Sequence, residues 1–188
     1  MQRRYCFSVW IVMLYMRKAQ EEKAWEREFL TRYHGTLNDM AYSLGRLRET
    51  ESYEEQLSCL QEIINDLTQL KAYMEMHINL AGISMPDKTG GVDTAGWQET
   101  ESVAGFIRNG GSINSRRIAA FWADGVISEQ EAAVIQFLRE ETEKLYGDMT
   151  VMEDGANYRY VLSSLEVYQR LTEIMKDAKA QLLRINEE

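Results

Sequence analysis

The sequence contains one proline, Pro86, and only two cysteines and two histidines among its 188 residues. Because proline interrupts helix interiors, its scarcity leaves room for long unbroken helices. Cys6 lies in an apolar run and Cys59 in a helical pattern, so a disulfide framework is not expected. His34 and His77 stand apart from any cluster of ligand side chains, and we interpret both as ordinary helix residues rather than zinc ligands.

Motifs for catalysis or cofactor binding are also lacking. Residues 88–91, Lys-Thr-Gly-Gly, do not have the order of a phosphate-binding loop and no strand pattern precedes them. Residues 124–131 resemble part of a calcium loop, but Ala120 and Trp122 fall at positions that require oxygen ligands. We therefore predict a non-enzymatic protein with no cofactor and no metal. The net charge of −9 disfavours a nucleic-acid partner.

No apolar run reaches the length of about 20 residues that ordinarily spans a bilayer. The longest, residues 5–16, would cover roughly 18 Å of a hydrocarbon core about 30 Å thick. Arg3 and Arg4 precede it and Arg17 and Lys18 follow, and such side chains can snorkel to the interface. We predict an uncleaved membrane anchor; a signal peptide and a soluble core helix remain alternatives. The anchor residues are Tyr5, Phe7, Trp10, Ile11, Leu14 and Tyr15.

Apolar residues then recur every three or four positions, the period of an amphipathic helix. A first helix is predicted to about Thr50, and a second begins after Ser52. Their short connection predicts an antiparallel hairpin. The stripe of the first helix comprises Trp25, Phe29, Tyr33, Leu37, Met40, Leu44 and Leu47, and that of the second Leu57, Leu60, Ile64, Leu67 and Met74.

The second half follows a loop rich in Gly, Ser and Thr. We predict a short helix at residues 102–108, another at 114–123, and a third starting at a capping box formed by Ser128 and Glu131. Gly125 should adopt a left-handed conformation before it. The last helix is expected to begin somewhere past Gly155 and should include Tyr158 and Val161. No strand alternation is evident.

These patterns predict an all-α fold, an antiparallel bundle of four to five helices after a short N-terminal apolar helix. The predicted parts are an anchor at residues 1–18, a helical hairpin at 19–80, a flexible loop at 81–98, and a second helical half of the same bundle at 99–188. The oligomeric state is left open.

Several segments, in their order, resemble the amino-terminal region of YpeB-type spore germination proteins of Firmicutes. They are the basic start with its short anchor, residues 20–24, the helical stripe of 33–47, and the segments 106–111 and 125–131. The resemblance implies a single-pass protein of the spore inner membrane, with the amino terminus inside and the helices outside. It also implies an accessory role for a cortex-lytic hydrolase partner. The PepSY domains that follow this region in the family have no counterpart in the 188 residues.

The hypothesis is a membrane-tethered interaction protein that stabilises or positions a partner enzyme. Residues near a double glycine combine basic and aromatic side chains, which suggests a partner-binding patch: Phe106, Arg116, Arg117, Phe121 and Trp122. Two alternatives stay open. One is an extracytoplasmic helical sensory module with a ligand pocket, and the other is a soluble cytosolic bundle in which residues 5–16 pack internally.

Overall fold

The structure, a computed structural model, describes residues 2–84, 93, 95–113, 116–118, 120–121, 125–153 and 157–185. Within these, side chains are described for 16–80, 93, 95–110, 120–121, 125–153 and 157–185. The elements are α1 (Gln2–Glu49), α2 (Tyr53–Ser84), α3 (Gly96–Asn109), β1 (Gly111–Ile113), β2 (Arg116–Ile118), α4 (Glu129–Asp148), β3 (Thr150–Met152), β4 (Tyr158–Tyr160) and α5 (Ser164–Arg184). The prediction of an all-α bundle is confirmed.

The helices contact one another in the order α1, α2, α3, α5, α4 and back to α1, so they enclose a common core. Helix α2 runs antiparallel to α1, since Tyr33 meets His77 and the later Ser43 meets the earlier Glu62. Helix α4 is likewise antiparallel to α1. Helix α1 therefore packs between α2 and α4.

The predicted stripes supply most of the core. On α1 every member from Phe29 to Leu47 is buried, and on α2 so are Leu60, Ile64, Leu67 and Met74. Trp25 and Leu57 are exceptions, since Trp25 is 47% exposed and Leu57 is also exposed. Each is the first member of its stripe. Helix periodicity marks a face but does not say where the neighbouring helix ends.

Helix α1 is continuous from Gln2, so the apolar run at its start is part of the same helix as the first core stripe. No side chain among residues 16–28 is buried. Among the described residues, no helix combines the length and the apolar character needed to cross a membrane. Among the side chains of α1 described from residue 16 onward, burial therefore begins at Phe29.

Two expectations for the second half are wrong. In place of a helix at residues 114–123, the chain forms an antiparallel hairpin that pairs Ile113 with Arg116. This hairpin follows Gly110, which ends α3 with a positive φ of 64°. The last helix starts at Ser164, and Tyr158 lies in β4, which pairs with β3. The β-branched and aromatic residues of Thr150–Met152 and Tyr158–Tyr160 favour this extended pairing.

The predicted helix start at residue 128 is confirmed. The Ser128 side chain accepts the backbone N–H of Glu131, and the Glu131 carboxylate accepts the N–H of Ser128. Gly125 has a φ of 78°, as expected for a left-handed position. A second capping box, between Ser163 and Glu166, begins α5. Each box satisfies backbone donors that an isolated helix end leaves unpaired.

Candidate functional site: a buried polar chain and an adjoining groove

The partner patch expected near residues 106–122 is only partly described. Phe121 is 1% exposed and Phe106 is half-buried, and both pack in or against the core. Phe121 also donates its N–H to the Ile107 carbonyl at 3.4 Å. The ring of Phe121 thus belongs to the interior and not to a docking face. Arg116 and Arg117 lie in β2, and their side chains, together with Trp122, fall outside the described residues.

The anchor residues form the first turns of α1. The structure describes their backbone as helical, while their side chains fall outside its description. They are Tyr5, Phe7, Trp10, Ile11, Leu14 and Tyr15.

A chain of hydrogen bonds crosses the bundle interior and joins three helices. The Tyr33 hydroxyl lies 3.0 Å from His77 Nδ1, and His77 Nε2 lies 3.1 Å from the Ser164 hydroxyl. Ser164 in turn donates its hydroxyl and its backbone N–H to the two carboxylate oxygens of Glu26, both at 2.6 Å. Glu26 and Tyr33 belong to α1, His77 to α2 and Ser164 to the first turn of α5. The chain therefore links α1, α2 and α5 through polar contacts.

The partners fix the proton positions. A carboxylate only accepts, so the Ser164 hydroxyl proton points to Glu26 and its oxygen must accept from His77 Nε2–H. In a neutral imidazole the other nitrogen accepts, so His77 Nδ1 receives the Tyr33 O–H. Burial lowers the pKa of His77 to about 4, which keeps the ring neutral at physiological pH. Burial also raises the pKa of the Tyr33 phenol well above its usual range.

Aromatic packing holds the histidine in this position. The His77 ring stacks on Phe29 at a centroid distance of 4.4 Å and meets the edge of Tyr168 at 5.9 Å. A serine paired with a histidine also occurs in hydrolases, where the hydroxyl must reach a substrate. Here Ser164 is 1% exposed and its proton is already donated to Glu26. The arrangement positions helices and gives the hydroxyl no access to a substrate.

A groove of about 1160 Å³ lies directly beside this chain, between α1 and the β3–β4 hairpin. One wall is the face of α1 that includes Glu26, the terminal member of the polar chain, and the other is the hairpin. Two smaller depressions, of about 360 and 340 Å³, lie along α5. The groove lining comprises Lys23, Glu26, Arg27, Leu30, Thr31, Glu153, Asn157, Tyr158, Arg159 and Tyr160.

Aromatic rings fix the hairpin wall against α1. His34 lies 4.4 Å from Tyr146, 5.4 Å from Tyr158 and 5.8 Å from Tyr160, measured between ring centroids. Burial lowers the pKa of His34 and raises that of the Tyr160 phenol. Both histidines of the protein therefore organise ring clusters, one in the core and one behind the groove. Tyr158 remains 54% exposed and presents its ring to solvent.

The charges in the groove are unevenly matched. The Glu153 carboxylate pairs with Arg159 at 2.6 Å, and Glu26 is held by Ser164. Lys23 and Arg27, one turn apart on α1, form no ion pair with any residue that the structure describes. No group of acidic, histidine or cysteine side chains within the described ranges could hold a metal ion. The groove lining thus contains three cations and two carboxylates beside the exposed ring of Tyr158, and two of the cations form no ion pair among the described residues.

Several apolar side chains of the hairpin region are exposed, namely Val151, Met152 and Val161. Comparison with family models, with characterised proteins and with solved structures found no match for the chain.

Proposed function

We propose that the chain is a non-enzymatic interaction protein, held at a membrane by residues 5–16. The observation that supports this proposal is the division of α1. Its helix starts at Gln2, yet the first buried side chain among those described, from residue 16 onward, is Phe29. Residues 2–28 correspond to about 40 Å of helix, and the core is built without any side chain from 16–28.

The amino-terminal part of α1 has the character of a stalk. Between Arg17 and Trp25 the helix is charged, with ion pairs from Arg17 to Glu21 and from Lys18 to Glu22. Such i,i+4 pairs stabilise a helix that has no neighbours. The nine residues from Arg17 to Trp25 correspond to about 14 Å, which exceeds the headgroup layer of roughly 6 Å on each side of a bilayer. The bundle would then stand clear of the lipid surface.

The resemblance to YpeB-type proteins supplies a more specific proposal. The amino terminus would lie inside and the bundle outside the spore inner membrane, and a cortex-lytic hydrolase would be the partner. Tethering confines the bundle near a membrane and raises its effective concentration for such a partner. Deletion of the gene should then impair cortex lysis, and normal cortex lysis in the deletion strain would remove this part of the proposal.

Membrane attachment is tested by placing charge in the apolar run of the full chain. Lysine near a membrane-helix centre costs about 2.5–3.5 kcal/mol per residue. The double variant Ile11→Lys and Leu14→Lys should therefore move the protein from the membrane pellet to the soluble fraction. The matched control, Ile11→Leu and Leu14→Ile, should stay in the pellet. A wild-type chain found in the soluble fraction would refute attachment and favour a cytosolic bundle.

A sensory module is a second candidate, favoured by the groove of about 1160 Å³ beside α1. Pockets for small ligands commonly range from 300 to 1,000 Å³, so the groove is large enough for one. A ligand that binds the folded state raises its apparent stability, by about 2.7 kcal/mol at a hundredfold excess over Kd. Thermal shifts of the full chain with small carboxylates, amines and sugars would identify such a ligand. The absence of any shift would argue against the sensory module and leave the interaction role as the proposed function.

A further inference from the structure

We propose that the groove between α1 and the β3–β4 hairpin docks an acidic, aromatic segment of a partner protein. This inference rests on the proposed interaction role but not on membrane attachment. The cations of the α1 wall would receive carboxylates of the segment, and Tyr158 would contact its aromatic side chain.

Charge is the first argument. Lys23 and Arg27 are four residues apart, so they lie side by side on the helix surface, about 5–6 Å between Cβ atoms. Like charges at this spacing repel each other and destabilise a helix slightly. Neither has an acidic partner among the residues that the structure describes. The lining contains three cations and two carboxylates, so in a protein of net charge −9 it is a local excess of positive charge that an acidic segment would match.

The acidic groups of the groove form no direct ion pair with Lys23 or Arg27. Both carboxylate oxygens of Glu26 accept from Ser164, and Glu153 pairs with Arg159. If Glu26 turned to Lys23 or Arg27, the backbone N–H of Ser164 at the start of α5 would lose its acceptor. The core therefore holds Glu26 in place, and the two cations stay available for an external anion.

Aromatic surface is the second argument. Tyr158 is exposed, and His34 and Tyr160 hold its ring from behind by stacking and edge contacts. A ring that is already positioned loses little conformational freedom on binding, and such rings are enriched at energetically important contact positions. Leu30 adds an apolar side chain to the α1 wall. An occupant with an aromatic residue next to its acids would use both features.

An anionic lipid surface fits the groove less well than a peptide does. A flat membrane meets a uniformly basic face best, whereas Glu26 and Glu153 stand in this lining and would repel lipid phosphates. A peptide can place its carboxylates beside Lys23 and Arg27 and keep them away from the two acids. The mixed charges of the groove therefore select for a particular spacing of charge.

The test is a titration of the full chain, in non-ionic detergent, with a fluorescent octapeptide of alternating Glu and Trp, followed by anisotropy. A second peptide carries Gln in place of Glu and a third carries Lys. Each exposed ion pair contributes modestly, so the Glu peptide should bind about tenfold more tightly than the Gln peptide. The Lys peptide should bind more weakly still, and added salt should reduce the difference.

Protein variants locate the site. Lys23→Gln with Arg27→Gln should remove the preference for the Glu peptide. The control, Arg17→Gln with Lys18→Gln, makes the same change of charge on the same helix but outside the groove. This control should keep the preference for the Glu peptide. Tyr158→Ala should weaken binding about tenfold, whereas Tyr53→Ala, with similar exposure elsewhere, should not. Circular dichroism would verify that each variant keeps its helices.

Equal binding of the Glu and Gln peptides, or equal effects of the two charge variants, would overturn the inference. The inference would also be overturned if binding to micelles containing phosphatidylserine required Lys23 and Arg27 while binding to the peptide did not. Self-association lost in the Lys23 and Arg27 variant would assign the groove to a second copy and would also overturn it. Fractionation is independent of peptide binding, so failure of either proposal can be distinguished from failure of the other.

Discussion

Replacing Asp66 with Asn is expected to stabilise the fold at neutral pH. Asp66 is buried on α2, and burial together with the nearby charges of Asp39 and Glu62 raises the pKa of its carboxyl from about 3.8 to about 7. The folded state thus favours the protonated acid, whereas the unfolded chain releases the proton near pH 4. Asn has nearly the same shape and no charge, so it removes the cost of ionising a buried acid.

The magnitude follows from proton linkage. A difference of about 3 between the folded and unfolded pKa corresponds to roughly 4 kcal/mol at most, at about 1.4 kcal/mol per pH unit. The stabilising effect of a protonated Asp66 is fully present below pH 3.8 and is lost as the pH rises through 7. The free energy of unfolding of Asp66→Asn should therefore exceed that of the wild type by an amount that grows between pH 4 and pH 7, reaches about 2–4 kcal/mol, and stays constant above pH 7.

His77 acts in the opposite direction. Burial lowers its pKa from about 6.5 to about 4, so its contribution is fully present above pH 6.5 and is lost as the pH falls through 4. Between pH 4 and 6.5 the two groups offset each other in the wild-type protein. Without the carboxyl of Asp66, the Asn variant should show the acid sensitivity of His77, with a loss of up to about 3 kcal/mol on acidification.

Urea denaturation at pH 4.5 to 8, monitored by circular dichroism, measures these differences. Asp177→Asn is the matched control, because Asp177 is exposed on α5 and the substitution changes the net charge equally. The free energy of unfolding of Asp177→Asn should differ little from that of the wild type, and the difference should be nearly independent of pH. If the difference between Asp66→Asn and the wild type does not change from pH 4.5 to 8, the reasoning about buried ionisation is refuted.

Two further substitutions test local geometry by the same denaturation assay. Ser163→Ala removes the capping box of α5 and should cost about 1 kcal/mol; an unchanged midpoint would contradict the role of that box. Gly96→Ala should be strongly destabilising, because an added Cβ would lie 2.0 Å from Thr172 Oγ1. Gly105→Ala in the same helix meets nothing within 4 Å and should instead stabilise by about 0.5–1 kcal/mol; equal effects of the two would argue against this packing.

The helical core could be predicted from the sequence because long helices repeat their apolar positions many times. From Phe29 to Leu47 on α1, the apolar positions follow the helical period over about five turns, so one exceptional residue would not change the prediction. The hairpins could not be predicted in this way, since strands of three residues such as Tyr158–Tyr160 contain one alternation at most. The helix expected at residues 114–123 failed for the same reason: a few residues with helical spacing do not exclude an extended pair.

The groove and the polar chain were missed for a different reason. Their parts are distant in sequence, as Ser164 lies 87 residues from His77 and 138 from Glu26. No local spacing indicates such a contact. One clue was present, because Ser163 and Glu166 repeat the Ser-x-x-Glu pattern that predicted the start of α4. That pattern would have placed the start of α5 correctly and moved Tyr158 out of the helix.

The polar chain also explains where the bundle begins along α1. Glu26 caps the start of α5, Phe29 stacks on His77, and Tyr33 donates to the same ring, so two turns of α1 make all three contacts. Before Glu26 the helix supplies no buried side chain from residue 16 onward. Hydropathy alone suggested a boundary at residues 18–19, where the apolar run ends. The contacts instead divide α1 at Glu26, and they leave Lys23 on the exposed side of that division, beside the groove.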